Sequence, residues 1–246
     1  MFSLKQGLPI AKFKTGSNVG RATINILDEG IGELGSDVQF KSKILPVPNI
    51  LKRECVYICG PSGCGKSTLV GEYLKTFKKA FPQYKIYIFS RKESDKAIDH
   101  LNPIWFPINQ DMVNNPIDII KELKNGACVV FDDYATFSDK GIKNSLSNLM
   151  KDILEVGREQ QIYCIITSHL INPNEKKDGR VIFNECDNIT VFPRGGNTYA
   201  ITYALKNYLG LSKQSIHRIL NLKSRWVLVS KTFPNYVLYE NGCYIV

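Results

Sequence analysis

The chain has 246 residues, enough for one α/β domain with a sizeable core, and its 32 basic against 23 acidic side chains leave a formal net charge of +9. No apolar run approaches the ~18 residues of a membrane span and the first residues lack the apolar stretch of a secretion signal, so no membrane partner is expected. Seven cysteines, at 55, 59, 64, 128, 164, 186 and 243, are odd in number and fall partly in apolar runs. They read as buried thiols of a reducing compartment; with no CxxC and three scattered histidines, a zinc site is not expected.

Charge is unevenly placed. Residues 1–53 carry 8 basic and 4 acidic groups, 54–193 carry 17 and 18, and 194–246 carry 7 and 1, or +4, −1 and +6. A basic tail beside a near-neutral core suits a polyanion such as DNA or RNA, or simply a solvated surface.

In chain order, residues 1–53 are glycine-rich between Gly16 and Gly35, alternate like a strand from Val38 to Ile44, and break at Pro46 and Pro48. Gly30-Ile31-Gly32-Glu33-Leu34-Gly35 matches GxGxxG, yet a strand pattern follows rather than a helix, so it reads as a turn and not a dinucleotide site. Cys55-Val56-Tyr57-Ile58-Cys59 then reads as a buried strand, followed by Gly60-Pro61-Ser62-Gly63-Cys64-Gly65-Lys66-Ser67-Thr68 and a helical pattern through Lys75. That is GxxxxGK[ST] in its strand, loop, helix context, the phosphate-binding loop. Its glycines allow backbone N–H groups and the helix N-terminus to cradle a β-phosphate. Lys66 would neutralise β and γ oxygens, and the Ser67 hydroxyl would ligate Mg²⁺.

Lys85–Ser90 is the next strand, with Arg91 and Lys92 at its C-terminal end, where α/β sheets keep their ligands or merely expose a basic loop. His100 to Asn115 is proline-rich around Trp105 and Phe106 and reads as an irregular excursion. Helix patterns run from Pro116 to Lys124 and from Lys140 to Gly157. Between them Ala127-Cys128-Val129-Val130-Phe131 is a buried strand that delivers Asp132-Asp133 to its C-terminal edge. In this Walker B arrangement Asp132 would hold Mg²⁺ and Asp133 would orient or deprotonate the attacking water; the plainer alternative is a turn or cap. The absence of a later Asn-Lys-x-Asp motif favours adenine over guanine nucleotides.

Strand Ile162–Ile166 ends in Thr167-Ser168-His169, and a hydroxyl or imidazole there can bond a γ-phosphate or the lytic water. A last core strand, Asn188–Phe192, precedes Pro193-Arg194-Gly195-Gly196. In the tail, Ser212 caps a helix through about Asn221, with Lys213, Gln214, His217, Arg218 and Asn221 on one side and Ile216, Ile219 and Leu220 on the other. The polar side is a candidate phosphate-tracking face or a solvated one. Trp226–Lys231 and Tyr236–Glu240 read as a terminal hairpin.

The order of Asp132-Asp133, a helix, Gly157-Arg158-Glu159 and a strand ending Thr167-Ser168-His169 resembles the poxvirus-type genome-packaging ATPases of the FtsK/HerA superfamily. The likeness covers roughly residues 50–195, and Ser224-Arg225-Trp226-Val227-Leu228 in the tail also looks like those proteins. It implies a pentameric or hexameric ring that hydrolyses ATP at subunit interfaces and drives double-stranded DNA into a capsid or through its portal vertex. It implies that Arg158 reaches a neighbour's γ-phosphate, with Arg194 in reserve, and that Ser168 or His169 serves as sensor. Lys140 and Lys143 are implied as pore-loop contacts, with Lys213 and Arg218 as further DNA contacts. The setting implied is host cytoplasm or virion. Two departures stand out: cellular members usually carry Glu where Asp133 stands, and Gln or Asn at the sensor.

The fold expected is α/β, a RecA-like P-loop NTPase with a central, mostly parallel sheet flanked by helices. Residues 1–53 form a β-rich segment packed on the core, 54–205 the ATPase core, and 206–246 a small basic helix-hairpin extension. A small-molecule kinase and a nucleotide-gated DNA-binding scaffold are the alternatives; a kinase needs an arginine-bearing lid, and the chain has no dense arginine cluster.

Overall fold

The computed structural model describes residues 1–14, 23–30, 32–116, 118, 123, 126–134, 139–171 and 176–246, with backbone only for 176–178. Its strands, in chain order, are β1 (Phe2–Ser3), β2 (Leu8–Phe13), β3 (Thr23–Ile26), β4 (Asp37–Gln39), β5 (Ile44–Pro46), β6 (Cys55–Cys59), β7 (Lys85–Ser90), β8 (Ile104–Pro107), β9 (Ala127–Phe131), β10 (Ile162–Ser168), β11 (Asn188–Val191), β12 (Val227–Ser230), β13 (Tyr236–Tyr239) and β14 (Gly242–Ile245). The helices are α1 (Lys66–Ala80), α2 (Asp111–Asn114), α3 (Lys140–Val156), α4 (Lys176–Glu185), α5 (Thr198–Asn207) and α6 (Lys213–Asn221).

Among the described residues the main sheet has ten strands in the order β4-β14-β13-β12-β11-β6-β10-β9-β7-β8. From β11 to β8 every pairing is parallel; from β11 to β4 every pairing is antiparallel. The parallel strands are continuous apolar runs because both faces are covered. Along β6, Cys55, Tyr57 and Cys59 face one core with residues of α3, α4, α5 and α6, whereas Val56 and Ile58 face the other with α1 and the N-terminal strands. A second, antiparallel sheet, β1-β3-β2-β5, lies on the α1 face.

The helices follow their apolar spacing. Helix α1 buries Leu69, Val70, Tyr73, Leu74 and Phe77, each a contribution of about 1.5–3 kcal/mol when fully buried. Its last turn carries Lys78 and Lys79, matching the negative end of the helix dipole. Helix α3 is capped by Asp139, whose carboxylate accepts from the Ile142 N–H at 2.9 Å, and buries Leu146, Leu149, Met150, Ile153 and Leu154. Ser212 caps α6 by accepting from the Ser215 N–H at 3.1 Å, and Ile216 and Ile219 are its buried positions.

Several sequence expectations need correction. The strand expected over Val38–Ile44 is two: β4 joins the edge of the main sheet at β14, while β5 joins the small sheet at β2, and the exposed stretch Lys41–Lys43 carries the chain between them. Trp105 and Phe106 lie in β8, an edge strand; its flanking prolines are tolerated because one side makes no ladder. The expected hairpin forms between β12 and β13, but it is not an appendage: β12 also pairs with β11, so the hairpin continues the central sheet on to β14. Helix α5, which the sequence reading leaves unassigned, starts at an Asn197 cap accepting from the Ala200 N–H at 3.1 Å. The helix expected over 116–124 falls mostly outside the described residues.

At the sheet edge where the parallel strands begin, Glu54 is fully buried and joins three parts of the chain. Its carboxylate accepts from the Tyr73 hydroxyl of α1, the Asn188 amide of β11 and the Asn49 N–H, the last at 3.2 Å. Burial pushes its pKa up to about 7 against the pull of these donors, with nearby Asp187 adding to the rise.

Candidate functional site

The phosphate loop leaves the C-terminal end of β6 and closes into the first turn of α1. The Gly60 N–H donates to the Ser168 carbonyl at 3.0 Å, pinning the loop to neighbouring β10. A side chain at Gly60 would sit 2.7 Å from both Cys64 Sγ and the Phe192 ring, so only glycine fits there. Gly65 caps α1 with φ +108°, a conformation that L side chains avoid. Burial pushes the Cys64 thiol up despite nearby Lys66, keeping it a protonated, unreactive group.

Lys66 is buried and folded inward. Its ammonium donates to the Gly60 carbonyl at 2.8 Å and lies 3.3 Å from His169 Nδ1 and 3.7 Å from Asp133 Oδ1. His169 Nε2 is 3.0 Å from Asp133 Oδ2. Since an ammonium only donates, Nδ1 must accept and Nε2 must carry the proton directed at Asp133. Lys66, His169 and Asp133 therefore close a ring of contacts at the mouth of the loop.

The acid pair is positioned by strand register. Strand β10 lies between β6 and β9, pairing Thr167 with Ile58 and Ile166 with Phe131, which sets Thr167 beside the end of β9. One hydroxyl serves both acids: Thr167 Oγ1 donates to Asp132 Oδ1 at 3.0 Å and accepts from the Asp133 N–H at 2.9 Å. On the other flank the Ser90 hydroxyl donates to Asp132 Oδ2 at 2.9 Å. Asp133 adopts φ +49°, a left-handed conformation uncommon outside glycine and held here by that Thr167 bond. The turn aims its carboxylate at Lys66 and His169.

Lys92 reaches Asp132 as well, 3.7 Å from its Oδ2, and lies 3.5 Å from Asp95. Desolvation opposes its charge, but Asp132 and Asp95 outweigh that and raise its pKa. The donor set fits a hard divalent cation: a carboxylate on Asp132, oriented by two hydroxyls, and the Ser67 hydroxyl at the start of α1.

Other expected residues are placed differently. Pro61 is half-buried, whereas Ser62, Gly63 and Thr68 are exposed along the loop and helix start. The Ser168 hydroxyl turns away, donating to the Leu170 carbonyl at 2.9 Å, so it is not brought to the acids; Thr167 occupies the position expected of it. Arg158 lies just before β10 begins, at the opposite sheet edge from the loop that β10 meets at its end, about 20 Å away along seven strand residues. It borders a polar cleft with Arg53, Glu155, Gln161, Glu185 and Asp187. Arg194 is exposed at the phosphate-loop edge, one residue before Gly195, which packs beside Pro61.

Among the candidate nucleic-acid contacts, Lys140 is exposed at the start of α3, Lys143 is half-buried and Lys213 is exposed at the start of α6. Arg218 is already engaged within the chain. Its guanidinium donates to Asp37 Oδ2 at 2.7 Å and stacks 3.5 Å above the Tyr244 ring, tying α6 to β4 and β14, which argues against the free phosphate contact expected of it.

Sequence reasoning missed Ser90 and Arg225 as site residues; of its two readings of Lys92, the one at the ligand edge of the sheet agrees with the contact to Asp132. Arg225 Nη2 lies 3.4 Å from the Cys64 carbonyl, against the outside of the phosphate loop.

No protein-family profile matches the chain. It is 42% identical over 240 residues to uncharacterized protein V3 of Sputnik virophage, covering 97% of this chain and 95% of that protein. Among solved structures it resembles the genome-packaging NTPase B204 of Sulfolobus turreted icosahedral virus 2 in complex with ATPγS, at 13% identity and TM-score 0.52 over 76% of this chain and 96% of that one. The pCW3 conjugation coupling protein TcpA aligns at 13% identity and TM-score 0.52 over 97% of this chain and 77% of that one. The cytoplasmic domain of the Thermomonospora curvata type VII secretion ATPase EccC aligns at 11% and 0.53, over 94% of this chain but 28% of that one.

Proposed function

Because the chain belongs to the family of Sputnik virophage protein V3 and carries the FtsK/HerA-like P-loop NTPase fold of a viral packaging enzyme, we propose that it is an ATP-driven motor that translocates double-stranded DNA into a viral capsid as an oligomeric ring. The observation that carries the hydrolytic part is the meeting of Lys66, Asp133 and His169 at the mouth of the phosphate loop, with Asp132 held beside them by Ser90 and Thr167.

In this reading the loop amides and Lys66 bind the β- and γ-phosphates. Ser67 and Asp132 would hold Mg²⁺, which supplies charge neutralisation at the phosphoryl oxygens. Asp133 takes the proton of the attacking water, and His169, bonded to it through Nε2, orients the carboxylate. Lys66 donates to the Gly60 carbonyl and stands beside Asp133 and His169. A γ-phosphate competes for that ammonium and frees Asp133 to take a water.

Arg158 lies too far from its own loop to reach that γ-phosphate, which leaves open the role the resemblance implies for it, in trans at a neighbouring subunit. Such fingers contribute ~10³ to 10⁵ in rate. The +9 chain, with +6 in residues 194–246, supplies attraction for the DNA backbone, and its partners are that DNA and the capsid or portal vertex. The seven unpaired cysteines suit a reducing setting, in host cytoplasm or virion.

Steady-state ATP hydrolysis across a protein titration, with and without double-stranded DNA, tests the proposal. Expected is DNA-stimulated turnover rising steeply with protein concentration, lost in Lys66→Ala and in Arg158→Ala, and partly restored when the two variants are mixed. Turnover linear in protein, indifferent to DNA and intact in Arg158→Ala refutes the motor and leaves a kinase or stand-alone NTPase. Binding of ATP without turnover leaves a nucleotide-gated scaffold.

A further inference from the structure

Lysines approach the acid pair from two sides. Lys66 comes from the phosphate loop toward Asp133, and Lys92 comes from the end of β7 toward Asp132, at 3.7 Å in each case. They differ in freedom. Lys66 is buried and donates to the Gly60 carbonyl at 2.8 Å. The Lys92 side chain is 49% exposed, and its 3.7 Å approach to Asp132 is an ion contact rather than a hydrogen bond. An ammonium carries three donors on a flexible four-carbon stem, so Lys92 can turn one toward a new acceptor without leaving its place.

The surroundings of Lys92 are fixed. Its N–H donates to the Ser90 hydroxyl at 3.1 Å and that hydroxyl donates to Asp132 Oδ2 at 2.9 Å, so one side chain sets both the backbone at 92 and the carboxylate at 132. Its second partner, Asp95 Oδ2 at 3.5 Å, belongs to a turn: the Ala97 N–H donates to Asp95 Oδ1 at 2.9 Å, and the Asp95 N–H and the Trp105 indole donate to Asp99 Oδ1 at 3.1 and 3.2 Å. That turn is seated on the phosphate-loop helix. A side chain on Gly71 would begin 2.5 Å from the Ala97 carbonyl oxygen, so only glycine permits the approach. Residues 92–99 thus join the end of β9 to α1.

We propose that Lys92 binds the γ-phosphate in cis, from the side of the acid pair, and so makes the site prefer a nucleoside triphosphate to a diphosphate. The proposal rests on the phosphate-loop reading and deepens it. In that reading Asp132 holds Mg²⁺, and a divalent cation and an ammonium converging on one carboxylate repel each other. An anion between them reverses the sign of that interaction. The metal of such sites bridges β and γ oxygens, so the γ-phosphoryl group is the anion that stands nearest both cations, and a diphosphate ends one phosphate short. Asp95 is a positioning residue that keeps the ammonium at the rim of the site.

The test measures dissociation constants of the non-hydrolysable analogue AMPPNP and of ADP, each with Mg²⁺, by calorimetry on the full chain for wild type, Lys92→Ala and Lys92→Arg. Loss of a charge-assisted hydrogen bond in Lys92→Ala should weaken AMPPNP by about 10- to 100-fold and leave ADP within about twofold. Lys92→Arg keeps the charge and should hold the preference for AMPPNP within about threefold of wild type. Hydrogen exchange on the wild type adds a readout independent of variant folding: AMPPNP should slow exchange across 92–99 more than ADP does.

Equal weakening of both nucleotides in Lys92→Ala would make Lys92 a support of Asp132 alone and overturn the assignment. Unchanged affinity for both would overturn it too, leaving an exposed ion pair of little consequence, as would protection of 92–99 that ADP gives as fully as AMPPNP. A loss of preference in Lys92→Arg as large as in Lys92→Ala would tie the effect to shape rather than charge and refute the electrostatic argument. If neither nucleotide binds the wild type, the phosphate-loop reading itself fails and takes this one with it. If the preference follows Lys92 but hydrolysis ignores DNA, the motor falls and the contact stands.

Discussion

Replacing Glu54 with Gln should remove a pH dependence of stability. Glu54 is fully buried and its folded-state pKa is about 7, against an ordinary 4.5. The folded protein therefore holds this proton where the unfolded chain has released it. Stability is fully present below about pH 4.5 and is lost as pH rises toward 7. The span of about 2.5 units corresponds to an upper bound of about 3 kcal/mol, of which about 2 to 3 falls between pH 5 and pH 8.

Gln cannot ionise and has the shape of the protonated acid. Its extra donor has an acceptor at hand, because Asn188 Oδ1 is buried without a hydrogen bond and a turn of that amide presents it. Urea unfolding followed by tryptophan fluorescence at pH 5, 6, 7 and 8 should show the wild type losing stability relative to Glu54→Gln as pH rises, with the variant ahead by pH 8. A variant less stable by 2 kcal/mol or more at every pH, with no change in the difference across the series, would refute the reasoning. It would mean that the Tyr73, Asn188 and Asn49 donors hold Glu54 as an anion.

Three further outcomes follow from the geometry. Asp133→Asn keeps a residue type that tolerates φ +49°, so ATP binding should stay within a few-fold while single-turnover hydrolysis falls by about 10² to 10⁴; retained turnover would remove Asp133 as the base. Thr167→Val strips a bond from each acid and should cost about 1–3 kcal/mol in denaturant unfolding and at least tenfold in kcat, with Thr167→Ser restoring both; recovery of stability without kcat would separate the hydroxyl from positioning. Arg218→Ala breaks an exposed ion pair and a ring contact, so thermal unfolding should report a loss of only about 1 kcal/mol.

What could be read from the sequence was what is contiguous in it. The loop from Gly60 to Thr68, the strand ending in Asp132-Asp133 and the Ser212 cap each carry their signal within a dozen residues, and each lies where its pattern puts it. The positioning of those residues is not local. Ser90, Thr167 and Asp132 are far apart in the chain and meet only because β7, β9 and β10 pair in one register. Periodicity marks β12 and β13 as strands but carries no record of their partner, so the tail looked like an appendage rather than the continuation of the sheet. Arg225 is hidden for the same reason: only the pairing of β12 with β11 brings it over the loop.

The short strand β4 has a practical consequence for anyone preparing this protein. It comes from the first 53 residues yet closes the edge of a sheet that the last residues build. A clone trimmed to 54–205 would discard β12, β13, β14 and β4 together and leave the amide row of β11 uncovered, an invitation to self-association. Removing only the N-terminal segment shifts that bare edge to β14. Expression tags are therefore better fused outside residues 1 and 246 than used to replace either end, and a soluble fragment is not to be sought by shaving the chain back to its nucleotide-binding heart.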